Sequence, residues 1–200
     1  MINKHIFEKI TGLKPNNDVL NILNNPPYNQ NSQNNIKLSL STISKITNLA
    51  EMVSNHETSF FRDLEVYQII KDMILRNNMK IWSAGCSYGQ EAYSLAMLSE
   101  NISEQENFKI YASDISKSAV MKAIKGQYSV YRKDEQKRIK IFLPFFSKKL
   151  KKNNQNNLQI IIPNTIKDKI NFFQHNLLTS PPLKEFDLIM CRNVLIYMNK

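Results

Sequence analysis

The chain has 200 residues, enough for one ordinary domain or one domain with a small module beside it, and its 42% hydrophobic share lies well above that of a disordered chain. Its formal charge of +10 admits anionic partners of several kinds and selects none of them. Two cysteines, Cys86 and Cys191, exclude a disulfide framework and a paired-cysteine metal site, and no apolar stretch approaches the length of a membrane span, so a soluble cytoplasmic protein with no bound metal is expected.

Residues 2–13 place Ile2, Ile6, Phe7, Ile10 and Leu13 at helical spacing. Residues 15–36 are rich in asparagine and contain Pro15, Pro26 and Pro27, which predicts a loop around a short helical turn at DVLNIL. Helical spacing returns over 39–53 through Ile43, Ile46, Leu49 and Val53. From residue 79 the pattern changes. MKIWSAG reads as a strand ending in Gly85, and SYGQEAYSLAMLSE as a helix that buries Ala92, Leu95, Ala96 and Leu98. FKIYASD is a second strand, and ISKSAVMKAIKG a second helix closed by Gly126. INFFQHN and FDLIMC are two further strands. Between the second helix and INFFQHN, about 130–168, a helix is predicted at KDEQKRIKIF, and FFSKKL with LQIII predicts a small antiparallel hairpin. Strands alternating with helices predict an α/β fold with a parallel sheet covered on both faces. The domain reading is a helical module over 1–54 and an α/β domain over 55–200, with the hairpin inserted at about 143–165.

In an open parallel sheet, ligands bind beyond the carboxyl ends of the strands. Four polar segments fall at such ends. Gly85 and Gly89 lie in a strand-to-helix turn where backbone can approach a ligand closely; a plain connecting turn has the same form. Asp114 ends the next strand and suits the two hydroxyls of a ribose, or the N-cap of the following helix. Asn176 and Leu177 follow INFFQ, where an amide could read the edge of an adenine and a leucine cover its face; a loop asparagine is the alternative. Cys191 to Tyr197 follow FDLIM, and polar residues straight after so apolar a strand predict a site more readily than a turn.

NHETSFFRD, IWSAGCSYGQEAYSLAM, YASDIS, AIKGQY, HNLL and FDLIMCRNVLIYM occur in one order. From about Asn55 onward the chain thereby resembles the chemotaxis receptor (CheR-type) methyltransferases, which esterify glutamate side chains with S-adenosylmethionine. The resemblance implies a Rossmann-like methyltransferase sheet with S-adenosylmethionine as cofactor. Thr58, Arg62 and Glu91 would lie by its methionine part, Asp114 on the ribose, and Asn176 and Leu177 at the adenine, while Arg192 and Asn193 would close the pocket. Arg62 and Tyr197 would stand nearest the transferring methyl group. His56 departs from the asparagine that the family often carries there. The implied partner is the cytoplasmic domain of chemoreceptors, without nucleic acid or membrane insertion, and the hairpin could dock a receptor tail.

In that family the sheet continues past NVLIYM. The expectation is therefore of a sheet incomplete at its C-terminal end, with FDLIMC as an apolar edge that a second chain would complete. Two rival readings accompany it. One is a non-catalytic fragment that keeps the fold. The other is an amino-group methyltransferase on DNA or protein, suggested by the NPPY run at Asn25 to Tyr28, which lacks the apolar strand that should precede it.

Overall fold

A computed structural model of the chain describes residues 4–25, 40–53, 57–74, 79–100, 108–140, 157–181, 183 and 185–198. Its centre is a four-stranded sheet of β1 (Lys80–Ala84), β2 (Lys109–Asp114), β5 (Ile170–Gln174) and β6 (Leu188–Met190), in the order β5-β2-β1-β6. All three ladders are parallel. The chain steps outward from β1 through β2 to β5 and then returns to the other side of β1. The strand order thus reverses at β1, and the carboxyl tips there form the expected ligand crevice.

Helix α5 (Gln90–Glu100) follows β1. Sequence reasoning gives it one buried face, but the structure buries Ala92 through Ser99 without a break. The helix packs on the sheet on one side and on α4 (Leu64–Ile74) on another, which is why its apolar residues are not confined to a stripe. Ser94 and Ser99 sit inside by donating to the carbonyls of Gln90 and Ala96, at 2.7 Å each.

Helix α6 (Lys117–Lys125) follows β2. Its N-cap is Ser116, whose hydroxyl accepts the amide of Ala119 at 3.1 Å. Asp114 is not the cap. Gly126 closes the helix in the left-handed region (φ +61°), where only a residue without Cβ is at ease, and Lys122 and Lys125 oppose the negative end of the helix dipole.

Strand β3 (Gln127–Val130) comes directly after Gly126 and pairs antiparallel with β4 (Leu158–Ile161). The LQIII segment is therefore a strand as predicted, but its partner is QYSV, directly after the helix-closing glycine. The FFSKKL half of the predicted hairpin lies outside the described residues. Between the two strands runs α7 (Lys133–Lys140), where a helix is predicted. A short helix α8 (Asn164–Lys167) leads into β5.

The N-terminal segment forms α1 (Lys4–Thr11), α2 (Asn17–Asn24) and α3 (Leu40–Val53) around Phe7, Val19, Leu23, Ile46, Leu49 and Ala50. DVLNIL is more than a turn. It is a two-turn helix capped by the side chain of Asn16, which accepts the amide of Val19 at 3.0 Å. Burying Val19 and Leu23 stabilises it by roughly 1.5–3 kcal/mol each. No described helix is long and apolar enough to cross a membrane.

Candidate functional site

The tips of β1, β2, β5 and β6 open into one cavity, with about 970 Å³ of empty space when its mouth is included. Thr58, Arg62, Glu91, Asp114, Asn176, Leu177, Arg192, Asn193 and Tyr197 all line it. Their backbones come from five separate places in the sequence. His56 lies outside the described residues, as does NPPY beyond Asn25.

The turn after β1 is built on Ser113. Its carbonyl accepts the amides of both Gly85 and Cys86 at 2.8 Å, which bends the chain sharply off the strand. Gly85 has φ +82°. The Asp114 carboxylate then joins the two strand tips: Oδ2 accepts the amide of Ser87 at 2.8 Å, and Oδ1 that of Ser116 at 2.9 Å. The side chain is 8% exposed, and this exposed part faces the cavity. The two backbone donors fix the orientation of the carboxylate.

Glu91 sits one helical position after the turn. The hydroxyl of Ser83 donates to its Oε1 at 2.8 Å, and Nη1 of Arg192 approaches Oε2 at 3.4 Å. Burial pushes its carboxyl upward, and those two donors oppose the shift. Burial likewise raises the Cys86 thiol well above its usual value, with Asp114 and Glu91 adding to the effect. Cys86 is therefore a neutral packing residue at the cavity floor, not a nucleophile.

Arg192 braces the site more than it points into it. Besides Glu91 it pairs with the carboxylate of Asp63, and Nη2 donates to the carbonyl of Arg62 at 3.1 Å. Its guanidinium also lies 6.0 Å from the centroid of the Tyr67 ring. This arginine ties the 57–63 loop to the segment after β6. Arg62 itself donates from Nη1 to the carbonyl of Glu57 at 3.3 Å, within its own loop. Thr58 lies outside any helix or strand and well before α4 begins at Leu64, so it caps no helix.

Asn176 is held by two contacts. Its Nδ2 donates to the carbonyl of Ile10, 166 positions away, at 2.6 Å, and its Oδ1 accepts the amide of Leu178 at 3.0 Å. One amide hydrogen and one acceptor direction remain. Leu177 continues the same wall. Tyr197 closes a turn over Leu195–Tyr197 by donating its amide to Val194, and its carbonyl accepts the amide of Lys14 at 3.1 Å.

Among the described residues, four other than glycine have positive φ: Phe61 (51°), Asp63 (59°), Ser87 (51°) and Asn193 (57°). Ser87 and Asn193 line the cavity, and Phe61 and Asp63 flank Arg62, which does too. Backbone strain of this kind costs about 1–3 kcal/mol per residue and gathers where a site over-determines its loops. Sequence reasoning missed several wall residues, among them Thr11, Leu13 and His175. Thr11 and Leu13 come from the end of α1, and His175 from the tip of β5. His175 has a buried Nε2 with no hydrogen-bond partner among the described residues, and its ring packs edge-on to Trp82 at 5.6 Å. Burial pushes its imidazole below its usual value. Gly12, straight after a helical pattern, was the available signal that this helix ends in a turn.

The family described as "CheR methyltransferase, SAM binding domain" matches residues 56–200. The chain is 32% identical to the chemotaxis protein methyltransferase of Listeria monocytogenes across 73% of its own length and 55% of the relative's. It is 32% identical to the protein of the same name from Borreliella burgdorferi, across 96% and 66% respectively. Chemotaxis protein methyltransferase 1 of Pseudomonas aeruginosa is 28% identical across 76% and 58%. The chain thus spans between half and two thirds of the length of these relatives.

Proposed function

The chain belongs to the CheR methyltransferase family, and from that premise we propose that it transfers a methyl group from S-adenosylmethionine to glutamate side chains of chemoreceptors, forming methyl esters in the cytoplasm. The observation that carries this reading is Asp114, a carboxylate fixed by two backbone amides at a strand tip and facing a cavity beside a glycine turn.

The donor set suits the cofactor. Asp114 offers acceptors for the two ribose hydroxyls. Asn176 retains one donor and one acceptor for the adenine edge, with Leu177 against its face. Thr58, Arg62 and Glu91 supply a hydroxyl and both charges for an amino-acid moiety, and Arg192 with Asn193 closes that side. When bound, the cofactor supplies an electrophilic methyl group on a sulfonium.

A glutamate side chain has an ordinary pKa of about 4.3, so it arrives ionised at neutral pH and needs no general base. The work left to this chain is orientation. Arg62 lines the cavity as a cation that would hold a carboxylate there, and Tyr197 also lines it, where its phenol would direct the incoming group. Buried Cys86 remains a thiol and does not compete for the methyl group.

The proposed organisation is a helical module over 1–54 and a methyltransferase domain over 55–200. A labelled-methyl assay on receptor-bearing membranes tests the function. A base-labile labelled product is expected from the wild-type chain and none from Arg62→Ala. A base-stable label on DNA or protein would overturn the ester assignment, and cofactor binding without transfer would leave a binding module.

A further inference from the structure

The loop that carries Thr58 and Arg62 is gripped from outside the parallel sheet. The amide of Phe60 donates to Oε1 of Glu135 at 2.8 Å, and the carbonyl of Phe60 accepts Nε of Arg138 at 3.1 Å. Nη2 of Arg138 also reaches the hydroxyl of Ser59 at 3.3 Å. Glu135 and Arg138 stand three apart on α7, so one helix face presents an acceptor and a donor to the two polar groups of a single residue. The Phe60 ring, fully buried, packs edge-on against Tyr128 of β3 at 5.0 Å. On the inner side, the amide of Phe61 donates to the hydroxyl of Ser94 at 2.9 Å.

This grip has a specific task. Phe61 and Asp63 both occupy the left-handed region on either side of Arg62, a conformation that relaxes unless neighbouring groups enforce it. Arg192 enforces it on the Asp63 side, and α7 does so on the Phe60 side. The Glu135 carboxylate is buried to 7% exposure, which drives it toward its neutral form, and the Phe60 amide is the donor that opposes this.

We propose that Glu135 and Arg138 are positioning residues for the cofactor site: they hold the Phe60 peptide from both sides so that Thr58 and Arg62 face the cavity. The inference rests on the reading of that cavity as an S-adenosylmethionine site. It makes α7, which contributes nothing to the parallel sheet, a determinant of cofactor affinity.

Calorimetric titration of the full chain with S-adenosylhomocysteine tests it, alongside near-ultraviolet circular dichroism to select folded variants. Glu135→Ala and Arg138→Ala are each expected to weaken binding about 10-fold, the effect of losing a charge-assisted hydrogen bond. Glu135→Gln keeps an acceptor for Phe60 and is expected to restore affinity to within about 3-fold of wild type. Lys137→Ala, on the exposed side of α7, is expected to bind as wild type does. Folded alanine variants with wild-type affinity, or Glu135→Gln as weak as Glu135→Ala, would overturn the proposal, because a merely structural role lowers stability without changing the affinity of the folded protein. If the alanine variants do not fold, Arg138→Lys decides: it keeps the charge but cannot span Phe60 and Ser59, so reduced affinity supports the proposal and unchanged affinity defeats it. A wild-type chain that binds no S-adenosylhomocysteine defeats the cofactor reading itself, and this proposal with it.

Discussion

Gly85 and Val194 touch across the switch point of the sheet. A Cβ built on Gly85 would stand 2.3 Å from Cγ2 of Val194, well inside any real contact, and the glycine has φ +82°. The turn after β1 and the segment after β6 are thus packed backbone against side chain. Gly85→Ala is expected to destabilise the fold by about 2–5 kcal/mol, from overpacking together with left-handed strain. Adding Val194→Ala removes the clash and leaves the strain, so the double variant should recover about half of that loss. Urea unfolding of the two single variants and the double variant gives the coupling directly.

Asp114 makes a second prediction. Asp114→Ala removes the acceptors of the Ser87 and Ser116 amides together with the proposed ribose contact. Hydrogen bonds to charged groups contribute about 1.5–3 kcal/mol, so affinity for S-adenosylhomocysteine should fall about 10- to 100-fold. Asp114→Asn keeps one acceptor and should fall between. Calorimetry measures both.

Asn176 is a latch as well as a wall. Asn176→Ala frees the carbonyl of Ile10, and the end of α1 should then open more often. Loss of about 1 kcal/mol there corresponds to about 5-fold faster hydrogen exchange. The amides of Gly12, bonded to Glu8, and Lys14, bonded to Tyr197, should report it, while those of β2 should not change.

Glu135 supplies a pH signature. Burial raises its folded carboxyl above the ordinary value, with the Phe60 amide and Arg138 only partly opposing the shift. The folded state therefore binds the proton more tightly than the unfolded one. The resulting stabilisation is complete below the unfolded value of about 4.3 and is lost as pH rises through the raised folded value. Glu91 adds the same sign. Glu135→Gln should flatten the decline in unfolding free energy as pH rises above about 4.3, without abolishing it. Urea titrations across that rise, on wild type and variant, give the slope.

The parallel sheet was legible because each strand carries its own punctuation. Gly85, Asp114, the Gln174–Asn176 stretch and Cys191–Asn193 mark four carboxyl ends, and all four meet at one cavity. Strand β3 was not legible. Four residues alternating Gln, Tyr, Ser, Val and following a helix-closing glycine give too short a period to separate from a loop, and only its pairing with β4 defines it. The bracing of Arg62 was equally hidden. Glu135 reads as one charge in a charged helix, and the amide that occupies it is 75 positions away. Asn176 was read as a ligand-facing amide; that it also holds α1 depends on a contact that no local pattern encodes.

Leu13 forms an antiparallel bridge with Met198, and Lys14 bonds the carbonyl of Tyr197, so two walls of the cavity come from opposite extremes of the described chain. During synthesis the β1–β2 ladder can pair while later strands are still inside the ribosome. The α1 wall, by contrast, lacks its tie to the segment after β6 until residue 198 has emerged. Contacts between such distant positions form late, since a large loop must close before they repay its entropy. The nascent protein should pass through a stage with its sheet assembled and its pocket still open to solvent on the α1 side, when S-adenosylmethionine could act as a ligand that completes folding.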